Sequence, residues 1–339
     1  MAQTPEAVLK EIRGKEYKPV YFLYGDEPYY IDLIAEELEK RVVAEAEKGF
    51  NQFVIYGKDT DVAGALGYAK RYPFMADRQL VLVKDAHKLS GMDQKEQLAR
   101  LEEYALNPLS STVLVLCYHD KADERRTHIK AFAKRGALVH SKRLYDNKLP
   151  EWVTNYCHTH GVKISPKAVQ MLVNNIGNDL KRIVSEIQKI LINLKAGEGV
   201  DADLIERYVG ISKDYNVFEF QKALLNRDVE KANRIAFYFG ANPKDNPLAP
   251  ILIILYNFFS KVLLTHAAPD RSDQGLATLL GVNPYFVKDY TLAARNYPVA
   301  KVAHIIHSLR QADAQMKGVE AGSIQDGELL RELVFTIIH

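Results

Sequence analysis

The first chemistry to look for in this chain is phosphate binding. An apolar run, Val20-Tyr21-Phe22-Leu23-Tyr24, leads straight into Gly25-Asp26-Glu27-Pro28-Tyr29-Tyr30-Ile31 and then into a helical pattern. A phosphate loop has that strand–loop–helix setting. It also needs glycines that turn backbone N–H groups toward the phosphates, a Lys for the β/γ-phosphates and a Ser or Thr for magnesium. Here a single glycine remains and no Lys, Ser or Thr follows it; Asp26 and Glu27 place two carboxylates where the anion would lie, and Pro28 removes a donor. A later apolar run ends Val83-Lys84-Asp85-Ala86, so the Asp-Glu pair of a hydrolytic site reads Asp-Ala. Gly25, Asp26, Glu27 and Pro28 are therefore read as a degenerate nucleotide loop, with no nucleotide and no other cofactor expected.

Other reactive groups are sparse. His158 with His160 and His304 with His307 lack a third ligand at metal spacing, so no metal site is expected. No G-x-S-x-G or H-E-x-x-H motif occurs, and no catalytic residue is assigned. Cys117 lies in an apolar run and Cys157 on a helical stretch, neither in a C-x-x-C pattern, which fits a reducing, cytoplasmic compartment. The N-terminus shows no basic region followed by an apolar one, so no secretory signal is expected.

The more informative segment is Arg71-Tyr72-Pro73-Phe74-Met75-Ala76-Asp77-Arg78-Gln79. It lies between a helical pattern and a strand, where a short connection is expected to be polar. Instead it carries Tyr72, Phe74 and Met75 around Pro73. Two readings stand. A proline-stiffened turn can present aromatic and Met side chains outward as interface anchors at low entropic cost; or the same side chains cap the domain core.

The elements that position these segments follow from hydrophobic periodicity. Strands are expected at 20–24, 52–56, 80–83, 112–117 and 137–140, separated by helices near 29–46, 61–71, 93–104 and 126–134, with Asp26 as N-cap of the first and Pro28 in its first turn. Continuous apolar runs alternating with helices indicate a parallel sheet covered on both faces. After Tyr145 only helical patterns remain: 148–160, 165–174, 178–194 and 202–208, with a loop at 195–199 before the last of these. Then follow 216–226, 228–240, 247–267, 284–296, 298–317 and 325–338. The expectation is an α/β domain over 1–140, a small helical domain over 141–210 and a third, helical domain over 211–339.

Composition agrees with a folded, soluble protein: 47% hydrophobic and 26% charged residues, with a net charge of +2 that supplies no overall drive toward nucleic acid. The apolar stretch Pro250–Thr265 is broken by Asn257, Ser260 and Lys261 and reads as a buried helix, so no membrane contact is expected.

The ordered set of segments resembles the delta subunits of the bacterial DNA polymerase III clamp loader, degenerate members of the AAA+ superfamily. The resemblance rests on Tyr21–Tyr29, on Pro73–Gln79, and on Gly177-Asn178-Asp179-Leu180 with Glu186 and Lys189. It continues in Val217-Phe218-Glu219-Phe220, Leu280–Val287, Ala312-Asp313 and Lys317-Gly318. It implies a P-loop-like parallel α/β domain, a small helical lid and a C-terminal helical collar that holds a hetero-pentamer together. It also implies a subunit that does not hydrolyse ATP, although it belongs to a nucleotidyltransferase holoenzyme. Such subunits work beside ATP-binding and other loader subunits, lodge an apolar plug in a pocket of the sliding clamp (beta), and help open the ring for loading onto primed DNA. The plug position falls on Phe74 and Met75, with Tyr72 in support; the family more often carries Leu-Phe at this pair. Lys121, Arg125 and Arg126 form a basic cluster, a candidate for DNA contact, but Asp120, Asp123 and Glu124 share the segment and favour a solvated charged face. The resemblance stands against three other readings: an active ATPase with an unusual site, a DNA-binding adaptor without a clamp partner, and a scaffold of another AAA+ assembly.

Overall fold

The computed structural model describes residues 2–195, 197–319 and 325–339. Chain contacts divide it into two units, Met1–Leu144 and Tyr145–His339.

The first unit contains β1 (Val20–Tyr24), β2 (Gln52–Tyr56), β3 (Gln79–Lys84), β4 (Thr112–Tyr118) and β5 (Ala137–His140) in one sheet of order β2-β3-β4-β1-β5. Every neighbouring pair is parallel, with Val20 opposite Leu114 and Gln79 opposite Thr112. The helices are α1 (Pro5–Arg13), α2 (Pro28–Arg41), α3 (Lys48–Asn51), α4 (Val62–Ala69), α5 (Lys95–Leu106) and α6 (Thr127–Arg135). Alternate strand residues feed two cores, as the pleat requires. Phe22, Tyr24, Val81, Val83, Leu114 and Leu116 meet Leu66, Leu101 and Phe132 on one face. Tyr21, Leu23, Leu80, Leu82, Val113 and Val115 meet Val8, Ile12, Ile31, Ile34 and Leu38 on the other. This double burial is why the strands read as unbroken apolar runs.

All five expected strands are present within a residue at each end. Helix α1 was not expected; Thr4 caps it by accepting from the Ala7 amide, and Val8, Leu9 and Ile12 bury its inner face. The cap of α2 is corrected: Glu27, not Asp26, is the N-cap, its carboxylate accepting from the Tyr29 amide 3.0 Å away, with Pro28 in the first turn as expected. Asp26 instead accepts from the Arg143 amide at 3.2 Å.

The second unit is helical: α7 (Leu149–Thr159), α8 (Pro166–Ile176), α9 (Leu180–Asn193), α10 (Ala202–Val209), α11 (Val217–Leu225), α12 (Val229–Ala241), α13 (Leu248–Ala267), α14 (Asp273–Leu280), α15 (Val287–Asn296), α16 (Val299–Met316) and α17 (Asp326–Ile338). Side-chain caps start many of them: Ser165, Asp179, Asp201, Asn216, Asp228 and Ser272 each accept from a backbone amide three residues on. Helix α14 falls in the stretch between the helices expected at 247–267 and 284–296, for which no element is expected; its eight residues bury only Leu276, Ala277 and Leu280, too few repeats for a periodic signal. Of the loop expected at 195–199, Ala196 lies outside the described residues. Helix α13 is long and apolar enough to cross a membrane by composition alone, but Ile251, Leu252, Leu255, Phe258, Phe259 and Val262 are buried in the helical core, so it packs as a core helix. Glu219, buried on α11, is held by Lys167 of α8 at 2.7 Å and Lys231 of α12 at 2.5 Å. These ammonium groups outweigh its burial and keep the carboxyl below the usual range.

Candidate functional site

In a parallel sheet the strand C-termini share one edge. Here that edge carries the segments after β1, β3, β4 and β5, whereas the turn that enters β3 lies at the opposite edge.

That turn spans 71–78, and its backbone is anchored at both ends. Asn51, the last residue of α3 and only 1% exposed, reaches across with both halves of its amide. Its Oδ1 accepts from the Phe74 N–H at 2.7 Å, and its Nδ2 donates to the Phe74 carbonyl at 3.0 Å and to the Glu47 carbonyl at 3.2 Å. At the other end buried Gln79 donates from Nε2 to the Arg71 carbonyl, to the Tyr68 carbonyl at 3.3 Å and to Thr112 Oγ1 at 2.8 Å. Guanidinium groups brace the flanks, Arg71 lying 4.6 Å from the Tyr68 ring centre and Arg78 5.4 Å from that of Tyr17.

With the backbone held inward, the side chains face water: Tyr72 is 78% exposed, Phe74 60% and Met75 86%. None of the three caps the core. Met75 also sits at φ 51°, a left-handed conformation that costs an unbranched side chain roughly 1–3 kcal/mol and persists only when its surroundings enforce it. Phe50, 68% exposed, adds to the patch, its ring centre 5.6 Å from that of Phe74. The sequence reading passed over Phe50 and Asn51. A lone Phe after Gly49 carries no periodic signal, and the Asn51 clamp joins residues 23 apart.

The loop after β1 contrasts with this turn. Gly25 donates to the Asp120 carbonyl at 3.1 Å, Glu27 donates to the Ser141 carbonyl at 3.2 Å, and Tyr29 donates to the Glu27 carboxylate. Buried Ser141 returns its hydroxyl to the Glu27 carbonyl at 2.6 Å. The amides that a phosphate would need at 25, 27 and 29 are thus used within the protein, and Pro28 has none. Gly25 is at φ 138°, and a Cβ there would lie 1.9 Å from the Ser141 carbonyl oxygen, so this glycine serves the approach of β1 and β5. Next to it, the Tyr24 hydroxyl hydrogen-bonds Glu124 and its ring stacks on His140 at 4.4 Å; burial first, then Glu124, raise the phenol well above its usual range.

The remaining groups sort simply. Burial pushes the Cys157 thiol up to about 11 and Cys117 higher still, which leaves both unreactive at neutral pH. Arg125 is paired with Asp123 at 2.9 and 3.2 Å, as a solvated charged face requires. His158, His160, His304 and His307 are exposed on helices or at their ends. A set that the sequence spacing did not reveal is Asp85, His87 and His119, whose ligand atoms lie within 4.8 Å of one another at the C-terminal ends of β3 and β4.

Comparisons with known proteins agree in where they match. The family described as DNA polymerase III, delta subunit, matches residues 21–142, and the family described as DNA polymerase III delta subunit, C-terminal domain, matches residues 214–336. The chain is 29% identical to DNA polymerase III subunit delta of Bacillus subtilis over 333 residues, covering 96% of this chain and 94% of that protein. It is 22% identical over 234 residues to the probable DNA polymerase III subunit delta of Aquifex aeolicus, covering 66% and 65%. Among solved structures it is similar to the Bacillus subtilis DNA clamp loader delta protein, with a TM-score of 0.55, 27% identity, and 98% and 99% of the two chains covered.

Proposed function

The chain belongs to the DNA polymerase III delta-subunit family of clamp-loader proteins, and from that premise we propose that it binds the sliding clamp through Tyr72, Phe74 and Met75, helping to open the ring for loading onto primed DNA. The observation that carries the proposal is the exposed apolar turn whose backbone is already fixed by Asn51 and Gln79. A ligand-ready loop loses little conformational entropy on docking, so more of the burial energy appears as affinity. Burying Phe74 and Met75 offers about 1.5–3 kcal/mol each before ordering costs. To open the ring, the chain must bind the open clamp edge better than the closed one; equal affinity for both would shift nothing.

Phe50 widens the docking surface, since its ring already rests against Phe74. The clamp role is non-catalytic in this chain. The loop at Gly25–Pro28 spends its amides internally, so ATP binding falls to neighbouring subunits of a hetero-pentamer in the cytoplasm. Residues 141–210 serve as the small helical lid and 211–339 as the collar, where exposed Phe237 on α12 and Phe335 on α17 offer apolar contacts to neighbours.

The test is size-exclusion chromatography of the chain with the sliding clamp of the same cell. Wild type is expected to co-elute with clamp, and a folded Phe74→Ala, Met75→Ala double variant to elute apart from it. Co-elution of the double variant at wild-type level would remove the plug assignment.

A further inference from the structure

The C-terminal edge of the sheet holds a set of donors that clamp binding does not use. Asp85 follows β3, His87 lies two residues on, and His119 follows β4; their ligand atoms fall within 4.8 Å of one another. His119 is held from both sides: its Nε2 lies 3.1 Å from Asp32 Oδ1 on α2 and its Nδ1 lies 3.5 Å from Asp85 Oδ1. His87 Nδ1 is buried and has no hydrogen-bond partner among the described residues. A buried ring nitrogen without a partner is costly unless something else satisfies it. The two imidazoles stand edge to face, with ring centres 6.3 Å apart.

The geometry points to a divalent transition-metal site of the zinc class, with Asp85, His87 and His119 as ligands and Asp32 as the outer carboxylate that orients His119. Donors around a tetrahedral zinc at ~2.0–2.1 Å lie roughly 3.3 Å apart, close to the 3.5 Å between His119 Nδ1 and Asp85 Oδ1. Asp32 on Nε2 is the outer arrangement that metal-bound histidines take, leaving Nδ1 to face the ion. Two imidazoles and one carboxylate select zinc, cobalt or nickel over magnesium and calcium, which take oxygen donors. Lys88 Nζ, 3.5 Å from Asp85 Oδ2, engages the other carboxylate oxygen and leaves Oδ1 to the site. The backbone supports the placement. Asp85 is at φ 53°, and Gly57 packs so closely beneath it that a Cβ there would lie 2.3 Å from the Asp85 carbonyl oxygen. Bound metal would tie the ends of β3 and β4 together and, through Asp32, to α2.

The test uses the full, tag-free chain, stripped with chelator and titrated with zinc chloride. One zinc per chain is expected to bind saturably and to raise Tm. His87→Ala with His119→Ala should abolish that binding. Asp32→Asn should weaken it by roughly 10–100-fold, the usual effect of losing an outer partner. His304→Ala with His307→Ala, on an exposed helix face, should change nothing. Cobalt titrated into wild type gives a second reading that needs no variant to fold. A four-coordinate nitrogen–oxygen spectrum is expected; a six-coordinate spectrum, or sulfur charge transfer from Cys117 or Cys157, overturns the assignment. So does a wild-type chain that takes up no zinc, zinc retained in the His87/His119 variant, or zinc lost in the His304/His307 variant.

Discussion

The loop after β1 and the turn before β3 are both short connections with tightly bonded backbones, yet they direct their side chains and amides in opposite ways. In the loop, the amides of Gly25, Glu27 and Tyr29 point to protein acceptors, and Glu27 and Ser141 are buried. In the turn, the backbone of Phe74 is satisfied by one buried side chain, Asn51, so Tyr72, Phe74 and Met75 can face water without leaving polar groups unpaired. The loop spends its amides on internal structure. The turn has its backbone satisfied from within and leaves its apolar side chains on the surface. A rigid backbone is thus no sign of function by itself; what matters is which groups it leaves over.

The contrast can be broken most severely on the loop side. Gly25→Ala forces a Cβ into the Ser141 carbonyl at a φ that only glycine adopts freely, and is expected to destabilise the first unit by at least about 3 kcal/mol in chemical denaturation. On the turn side, Phe74→Ala with Met75→Ala should leave the denaturation midpoint nearly unchanged while weakening clamp affinity by about 10²–10⁴-fold, from roughly 1.5–3 kcal/mol for each side chain. Asn51→Ala sharpens the comparison because Asn51 is buried and reaches the turn only through its bonds to the Phe74 backbone. Losing its bonds to Phe74 should cost about 1–3 kcal/mol of stability and also reduce clamp affinity. An Asn51 variant that lost stability but kept full affinity would mean that the turn is not held ready. Phe50→Ala should be milder, lowering affinity by about 0.5–1.5 kcal/mol in the same titration with stability unaltered.

The smallest effect is a pH dependence in the loop. The Arg143 amide holds the Asp26 carboxyl below its usual range. A depressed folded-state value means the contribution is present at neutral pH and fades as pH falls below the usual carboxylate range. Asp26→Asn should therefore be slightly less stable than wild type near neutrality, and the two should converge on the acid side, where the wild-type carboxyl is protonated.

The fold was legible where burial made the pattern loud. Four strands buried on two faces, and the half-buried edge strand β2, read as apolar runs, and the long helices of the second unit show clear periodicity. It was quiet where elements are short: α1 and α14 each bury only three residues on one turn-length stripe. The cap of α2 is not legible because two carboxylates in a row precede Pro28, and Asp26 is drawn away by the Arg143 amide, a residue 117 positions along the chain. The turn could be found because apolar residues stood where polar ones belong. Its anchor could not, since Asn51 is an ordinary polar residue until folding brings it to Phe74. Asp85, His87 and His119 were equally silent, being donors from two strands that adjoin only in the sheet.

The most direct measurement is the equilibrium affinity of the full chain for the sliding clamp, compared between wild type and the Phe74→Ala, Met75→Ala variant at low and high salt. Both proteins must first be shown to unfold at the same denaturant midpoint. The account predicts wild-type binding that varies little with salt, as apolar docking should, and a variant that binds at least about 100-fold more weakly. Equal affinities, or wild-type binding that collapses with salt while the variant matches it, would contradict it.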